Sequence, residues 1–219
     1  MLFRSELHIL GYFIDPKNRA INLHLKDIRA ARYSRAQKMV ERLHQEGLEI
    51  SFTQVERLAQ GESIGRPHIA RALIEKSYVN SIKEAFAKYI GRGCPGYVPR
   101  YKFLPGEAVE LIKNADGIAV LAHPGLVKDK MKIREIIDLG IEGLEVYYPE
   151  HSPEQKKELL ALAVRHKLLI TGGSDYHGPD SHEGRAIMGS GGVSGELLDK
   201  IYQYHSLKVN KKVDFNRRG

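Results

Sequence analysis

Hydrophobic and polar positions follow two different patterns along the chain. Between residues 27 and 91, apolar side chains recur at three- to four-residue intervals, as on one face of a helix; examples are Ile28 with Ala31 and Met39 with Leu43. After residue 104, helical patterns alternate with short apolar runs that are typical of buried strands. The pattern therefore predicts a helical block followed by αβ units, and repeated αβ units indicate a parallel sheet with helices packed outside it.

The same pattern predicts where the individual elements begin and end. An apolar run over residues 6–13 indicates a first strand, and a long helix is expected from Asp27, as N-cap, to Gly47. Three shorter helices complete the block, one after Ser51 and ending near Gly61, one from Pro67, and one over 81–90. The later elements are predicted as helix 105–115, strand 117–123, helix 131–139, strand 143–148, helix 153–166, strand 168–175, strand 186–190 and helix 195–204.

Composition narrows the class of protein. Of 219 residues, 42% are hydrophobic and 28% are charged, which is typical of a folded globular chain. The single cysteine, Cys94, excludes an internal disulfide framework and suits a reducing compartment. No apolar run approaches the roughly 18 residues of a membrane span, so we expect a cytoplasmic protein. The formal net charge of +7 favours anionic partners.

Several familiar catalytic motifs are absent from the sequence. There is no cysteine pair and no HExxH, which speaks against structural zinc sites and zincin proteases. The glycine-rich "GSGG" at 189–192 lacks the Lys-Ser/Thr of a phosphate-binding Walker loop. No G-x-S-x-G elbow supports a serine hydrolase.

Polar side chains accompany the predicted strands where each strand ends. His123 follows "GIAVLA", Asp175 and His177 follow "LLITGGS", and Glu145 lies inside "GLEVYY". Active sites of parallel sheets form at the carboxyl ends of the strands, so we expect these groups to meet at one rim. Imidazole and carboxylate together suit zinc, manganese or iron. Polar turn residues, with His8 as a core histidine, are the alternative.

Basic residues mark two helices of the helical block. Arg66 and His68 stand at the start of a helix, where the N-terminus attracts anions and arginine binds phosphate through two donors. Arg29, Arg32 and Arg35 recur at three-residue steps on the first long helix. Each group is either an anion-binding element or a solvated basic surface.

Six motifs occur in an order that resembles a known family. They are "HILGY", "IGRPHIARAL", "EAFAKYIGRGCPGYVPR", "GIAVLAHPG", "GLEVYYPEHS" and "GSDYHG". In this order they resemble the PHP (polymerase and histidinol phosphatase) metal-dependent phosphoesterases. The subgroup that is most similar acts as 3′,5′-nucleoside bisphosphate phosphatase and as 5′-to-3′ exonuclease on short RNA.

The resemblance implies an α/β fold, namely an incomplete distorted (β/α)7 PHP barrel with a helical insertion. It divides the chain into a barrel strand and turn at 1–26, a helical insertion at 27–104, and the remaining barrel βα units at 105–219. The implied cofactors are divalent metal ions, Mn²⁺, Zn²⁺ or Fe²⁺, up to three in the intact family. The implied substrate is a phosphorylated nucleotide or short RNA; no membrane is involved, and a protein partner is left open.

Matched to the family motifs, six residues acquire roles. His8, His123, Asp175 and His177 correspond to metal ligands, the last two also to catalytic residues, and Arg66 and His68 to groups near the substrate phosphates. Glu145 matches a family position to which we assign no metal.

The resemblance has one departure. The family's His-x-His motif, a further ligand histidine and a bridging glutamate are not found ahead of "HILGY". The chain therefore resembles a PHP protein without its first barrel strands, and we expect low activity or none from it alone. The alternative function is a non-catalytic protein that binds nucleic acid or anions, or a fragment that depends on a partner.

Overall fold

Four strands form one mixed sheet in the order β1-β2-β3-β4. The computed structural model describes residues 7–61, 63–101, 103–176 and 187–218, with side chains to residue 210. The strands are β1 (Ile9–Tyr12), β2 (Ile118–Leu121), β3 (Gly143–Tyr147) and β4 (Leu169–Gly172). β2, β3 and β4 are parallel, as predicted, whereas β1 pairs antiparallel with β2. The whole helical block lies between β1 and β2 in the sequence. The two strands are therefore not joined by a single crossover helix, the connection that produces parallel pairing.

Eight α-helices accompany the sheet in the described ranges, none of them long and apolar enough to span a membrane. The predicted α/β class is confirmed. A π-helical turn, Phe86–Ile90, continues α4, and a 3₁₀ turn, Pro124–Leu126, follows β2. The helices are α1 (Arg19–Gln45), α2 (Phe52–Ala59), α3 (Arg66–Glu75), α4 (Ile82–Ala85), α5 (Pro105–Asn114), α6 (Lys130–Asp138), α7 (Pro153–Arg165) and α8 (Gly195–Arg218).

The chain divides into two compact units. We call Met1–Ile21 with Phe103–Gly219 the sheet unit, and Asn22–Lys102 the helical unit. The division into 1–26, 27–104 and 105–219 stays a prediction about domains. The helical unit has its own core, built from α1, α2 and α3 around fully buried residues such as Met39, Leu43, Val55 and Leu73.

Alternation along the strands gives the sheet unit two apolar faces. Ala119 and Leu121 of β2 pack in the main core of this unit, to which α5, α6 and α7 contribute. Ile118 and Val120, the intervening residues, pack on the other face against Ile201 of α8. All four side chains are buried, so β2 is a continuous apolar run whose side chains pack alternately into two cores.

Three predicted boundaries differ from the structure. α1 begins at Arg19 rather than after Asp27, because the Asn18 Oδ1 accepts the N–H groups of Ala20 and Ile21 and caps the helix earlier. Residues 187–190 form a turn instead of the end of a strand. α8 continues to Arg218 instead of ending at 204.

Two polar side chains of α8, Lys208 and Tyr204, bind the sheet. The Lys208 Nζ donates to the Gly117 carbonyl at 2.6 Å and to the Glu142 Oε1 at 2.7 Å. The Tyr204 hydroxyl donates to the same carboxylate oxygen at 3.1 Å. These bonds lie before β2 and β3 begin, at the end of the sheet opposite the carboxyl ends of these strands.

Candidate active site

His8 and His123 meet at one end of the sheet. The His8 Nδ1 and the His123 Nε2 are 3.1 Å apart, and the rings stand edge to face with centroids separated by 5.0 Å. His8 comes just before β1 and His123 two residues after β2. Because β1 is antiparallel to β2, its amino end lies beside the carboxyl end of β2, and the Ala122 N–H donates to the His8 carbonyl at 3.0 Å.

Two carboxylates belong to the same rim. Glu145 of β3 is 4% exposed, and its Oε2 accepts the His123 N–H at 2.7 Å. Gly173 leaves room for it, because a Cβ at that position would lie 2.5 Å from the Glu145 Oε1. Asp175, after β4, is exposed and interacts electrostatically with both His123 and Glu145. The side chains thus come from four neighbouring strands: His8, His123 and Asp175 lie next to strand ends, and Glu145 lies within β3.

Both His123 and Asp175 have left-handed backbones, with φ of 30° and 55°. Such a conformation costs a non-glycine residue about 1–3 kcal/mol and is concentrated at functional sites. Four other positive-φ residues follow helices, where a left-handed residue is a common ending: Gln60, Ser77, Asp116 and Lys167. His123 and Asp175 follow strands, as does Phe13 with φ of 54°, so a helix ending explains none of these three conformations.

Burial shifts the pKa values of His123 and Glu145 in opposite directions. Burial lowers the pKa of His123, and the nearby His8 lowers it further, although Asp175 opposes this. Burial also raises the pKa of Glu145, with Asp175 adding to the shift and the His123 N–H opposing it. A neutral imidazole is the form that binds a metal ion, so this environment prepares His123 as a ligand.

The separation of the two histidine nitrogens is compatible with a hydrogen bond between the rings and with a shared divalent cation. The 3.1 Å between the His8 Nδ1 and the His123 Nε2 is a hydrogen-bond distance. It also falls within the roughly 3.0–3.4 Å that separates two ligand nitrogens of one ion when the metal–nitrogen bonds are about 2.0–2.1 Å long. Among the described residues, no set of three or more His, Cys, Asp or Glu side chains is arranged to hold a metal. His177, a predicted ligand, lies outside the described residues. The ligand roles of His8, His123, Asp175 and His177 therefore stay predictions.

Sequence reasoning left Glu145 without a role and did not single out Thr171 or Tyr12. Thr171 is buried beside Glu145 in the β3–β4 register, and its hydroxyl interacts with that of Tyr12, whose pKa burial raises. A carboxylate inside an apolar strand is rarely buried without a partner, and this is the sequence signal that marks Glu145.

Arg66 and His68 lie in the helical unit, at the start of α3. The His68 Nδ1 accepts the Gly65 N–H at 3.1 Å, so the proton of the neutral ring is on Nε2. The Arg66 guanidinium lies over the Phe86 ring at 4.7 Å and its Nη1 is 3.5 Å from the Ile90 carbonyl. These contacts orient both side chains, and their role at substrate phosphates stays a prediction.

The predicted arginine row on α1 does not act as one group. The Arg35 Nε donates to the Val98 carbonyl at 2.7 Å, and the Arg32 Nη1 donates to the Ser63 hydroxyl at 3.2 Å. Arg35 is partly buried, whereas Arg29 is exposed. Arg35 thus holds the segment that leads out of the helical unit, and Arg29 is the more accessible cation.

Two curated proteins are similar to the chain, although no family model matches it. It is 34% identical over 179 residues to the 5′-3′ exoribonuclease Rnm of Escherichia coli K12, which is 80% of this chain and 61% of that protein. It is 36% identical over 182 residues to the 3′,5′-nucleoside bisphosphate phosphatase of Chromobacterium violaceum, 80% of this chain and 64% of that protein.

A solved structure adds the fold. A protein from Bifidobacterium adolescentis, proposed to be a metal-dependent phosphoesterase, superposes with a TM-score of 0.73 at 33% identity, over 90% of this chain and 71% of that one. The chain belongs to the PHP-type metal-dependent phosphoesterases. This PHP-type chain spans 61% and 64% of the lengths of the two curated relatives.

Proposed function

We propose that the protein is a metal-dependent phosphoesterase that hydrolyses phosphate esters of nucleotides or short oligonucleotides. The observation that carries this is the His8–His123 pair, two imidazole nitrogens 3.1 Å apart at the strand ends beside Glu145 and Asp175. The architecture we propose is the incomplete (β/α)7 barrel of the family, with the four-stranded sheet as part of its wall.

His8, His123 and Asp175 would hold a divalent ion, Mn²⁺, Zn²⁺ or Fe²⁺, together with His177. When bound, such an ion lowers the pKa of a coordinated water and polarises a phosphoryl oxygen. His123 is kept neutral by burial, and Glu145 fixes the backbone of His123 through its N–H. Asp175 contributes negative charge, which attracts the cation.

Arg66 and His68 would bind the substrate phosphates. The Arg66 guanidinium offers a planar set of donors that matches two phosphate oxygens. His68 stands at the same helix start, where its Nδ1 accepts the Gly65 N–H. The stacking of Arg66 on Phe86 reduces the entropy lost when a phosphate binds.

Two features support a nucleotide substrate. The relatives above are named as a bisphosphate phosphatase and an exoribonuclease, both of which act on phosphate esters of nucleotides. The helical unit carries 15 basic and 8 acidic residues, a net charge of +7 that favours a polyanion.

The test is Mn²⁺-dependent release of phosphate from adenosine 3′,5′-bisphosphate. The wild-type rate is expected to be low, and His123→Ala and Asp175→Ala are expected to reduce it by about 100-fold or more. His166→Ala is the matched control, since His166 is an exposed histidine that precedes β4 at the opposite end of that strand. Equal rates in the wild type and the two rim variants would refute the proposal.

A non-catalytic anion or RNA binder is the second candidate, favoured by the concentration of charge on the helical unit. Elemental analysis of the purified protein separates the two functions. About one metal ion or more per chain supports the enzyme. Absence of metal, with RNA binding that weakens steeply with salt, supports the binder.

A further inference from the structure

His151 is a buried histidine outside the proposed ligand set. It follows β3 by four residues and is 3% exposed. We propose that His151 is a positioning residue that holds the loop of residues 122–127, the His123 loop, in the conformation that presents His123 to a metal ion. The inference rests on the proposed function in one respect only, the identity of His123 as a ligand.

Both ring nitrogens of His151 are used, and this fixes its tautomer. The Nε2 is 3.0 Å from the Gly125 N–H, so it must be the acceptor. The Nδ1 is 2.9 Å from the Val146 carbonyl, which can only accept, so the Nδ1 carries the proton and donates it. A neutral, singly protonated ring therefore links the loop after β2 to the backbone of β3.

The bond from Gly125 completes the hydrogen bonding of the His123 loop. The His123 N–H donates to Glu145, the Leu126 N–H to the His123 carbonyl and the Val127 N–H to the Pro124 carbonyl. Pro124 has no N–H, so without His151 the Gly125 N–H would be the loop's one donor without an acceptor in the described structure. Such a donor is costly when partly buried, and the loop would rearrange to satisfy it.

The contact is specific for glycine at position 125. A Cβ there would lie 2.6 Å from the His151 Cδ2 and 2.8 Å from its Nε2, closer than any side chain tolerates. A second contact reaches the same loop through Tyr148, whose ring is 5.1 Å from that of His151 and 5.5 Å from that of His123. His151 thus contacts the His123 loop directly at Gly125 and, through the Tyr148 ring, is linked to the His123 ring.

Two substitutions separate the two bonds of the ring. His151→Asn places an amide near the position of Nδ1, keeping a donor for the Val146 carbonyl and losing the acceptor for Gly125. His151→Gln places its amide oxygen near the position of Nε2, keeping the acceptor. A positioning role through Gly125 predicts that Gln retains function and Asn does not, whereas a merely structural role predicts similar losses in both.

The first measurement is the affinity for Mn²⁺, which is determined from the electron paramagnetic resonance signal of the unbound ion. His151→Asn is expected to weaken Mn²⁺ binding about 10-fold or more, the range for groups that orient a ligand, and His151→Gln by about 3-fold or less. Lys208→Met is the control, because it loosens β2 at its opposite end through Gly117 and should leave the affinity unchanged. Equal loss in both His151 variants, or an equal loss in the control, overturns the inference.

The second measurement needs no metal. Amide hydrogen exchange of Gly125 and His123 should be protected in the wild type and in His151→Gln and accelerated in His151→Asn. If the wild type binds no Mn²⁺, the proposed function is wrong. The exchange rates still test the positioning role of His151 in that case. If His151→Asn does not fold, Gly125→Ala, which displaces the ring, should accelerate His123 exchange; an unchanged rate there overturns the inference.

Discussion

The helical unit and the sheet unit divide charge and buried polar groups unequally. The helical unit has 15 lysines and arginines and 8 acidic residues, whereas the sheet unit has 19 of each, so the net charge of +7 belongs to the helical unit. Conversely, the polar or charged residues buried within the described chain, Glu145, His151 and Thr171, are all in the sheet unit. The charge that attracts distant anions is therefore in the helical unit, and the buried polar groups that fix local geometry are in the sheet unit.

This difference separates two physical tasks. Exposed charge attracts an anionic substrate over a distance and needs no exact geometry. Buried polar groups are costly unless each is bonded, and once bonded they hold their neighbours in one arrangement. The unequal division supports assigning substrate capture to the helical unit and metal binding to the rim of the sheet.

The largest expected effects come from cavities made separately in each core. Leu73→Ala in the helical unit and Leu144→Ala in β3 each remove a fully buried side chain and should lower the free energy of unfolding by about 2–5 kcal/mol. Only Leu144→Ala should also weaken Mn²⁺ binding, because Leu144 adjoins Glu145. Denaturant unfolding and Mn²⁺ titration of both variants measure this.

Ile133→Ala in α6 serves as the control, since it makes a cavity in the same core as Leu144 without adjoining a rim residue. A loss of Mn²⁺ affinity in Leu73→Ala as large as in Leu144→Ala would show that the two units do not work separately.

Much of the fold was predictable because its periodicities are simple. The strands at 118–121, 143–147 and 169–172 are apolar runs bounded by helical patterns, and all were expected close to where they occur. The antiparallel direction of β1 was not expected, because the direction in which a strand pairs depends on how the chain returns to the sheet rather than on the residues of that strand. The early start of α1 was not expected either. It depends on Asn18 as the N-cap, and several polar residues in that turn could have made the capping hydrogen bond instead.

The candidate site was predictable only in part. Strand ends identified His123 and Asp175, because parallel strands deliver their carboxyl ends to one rim. The contribution of His8 required the antiparallel pairing of β1, which places its amino end there. The support that Glu145 gives to the His123 backbone depends on a side chain crossing between strands, and no spacing in the sequence reveals such a contact.

A smaller effect should separate arginines within α3. Arg66→Ala is expected to raise KM for adenosine 3′,5′-bisphosphate about 10-fold or more, since a hydrogen bond to a charged group contributes about 1.5–3 kcal/mol. Arg71→Ala, an exposed arginine of the same helix, makes the same change in net charge and should alter KM less than 2-fold. Steady-state kinetics of both variants provide the comparison.

Arg66→Lys sharpens this test, because lysine keeps the charge but loses the planar fork. An intermediate KM is expected. If Arg66→Ala and Arg71→Ala raise KM equally, the helical unit acts through its net charge alone and the specific role of Arg66 is wrong.

We expect the ionised Glu145 to favour metal binding but to lower the stability of the metal-free fold. Burial raises the pKa of this carboxyl in the folded protein, so the ionised group destabilises the metal-free fold at pH 7, and this cost falls as the pH drops through the folded pKa towards the unfolded one. Glu145→Gln keeps an oxygen for the His123 N–H and removes the charge. Its Tm should exceed that of the wild type at pH 7 without metal, with a difference that narrows towards pH 4.5, while Mn²⁺ binding weakens. A Tm difference that widens on acidification would contradict the assignment.

The smallest effect concerns diffuse charge. Lys26→Glu with Arg29→Glu reverses two exposed cations on α1 and should weaken binding of a short single-stranded RNA several-fold at low salt, because removing one cation from a phosphate group lowers the salt slope by about 0.7. Lys157→Glu with Arg165→Glu makes an identical charge change on α7 of the sheet unit and should have less effect. Fluorescence anisotropy over a range of salt concentrations compares the two. Since both pairs change the net charge of the whole protein equally, any difference between them reports where the RNA lies. Equal losses would mean that only total charge matters, and the division of labour between the two units would then be limited to the rim.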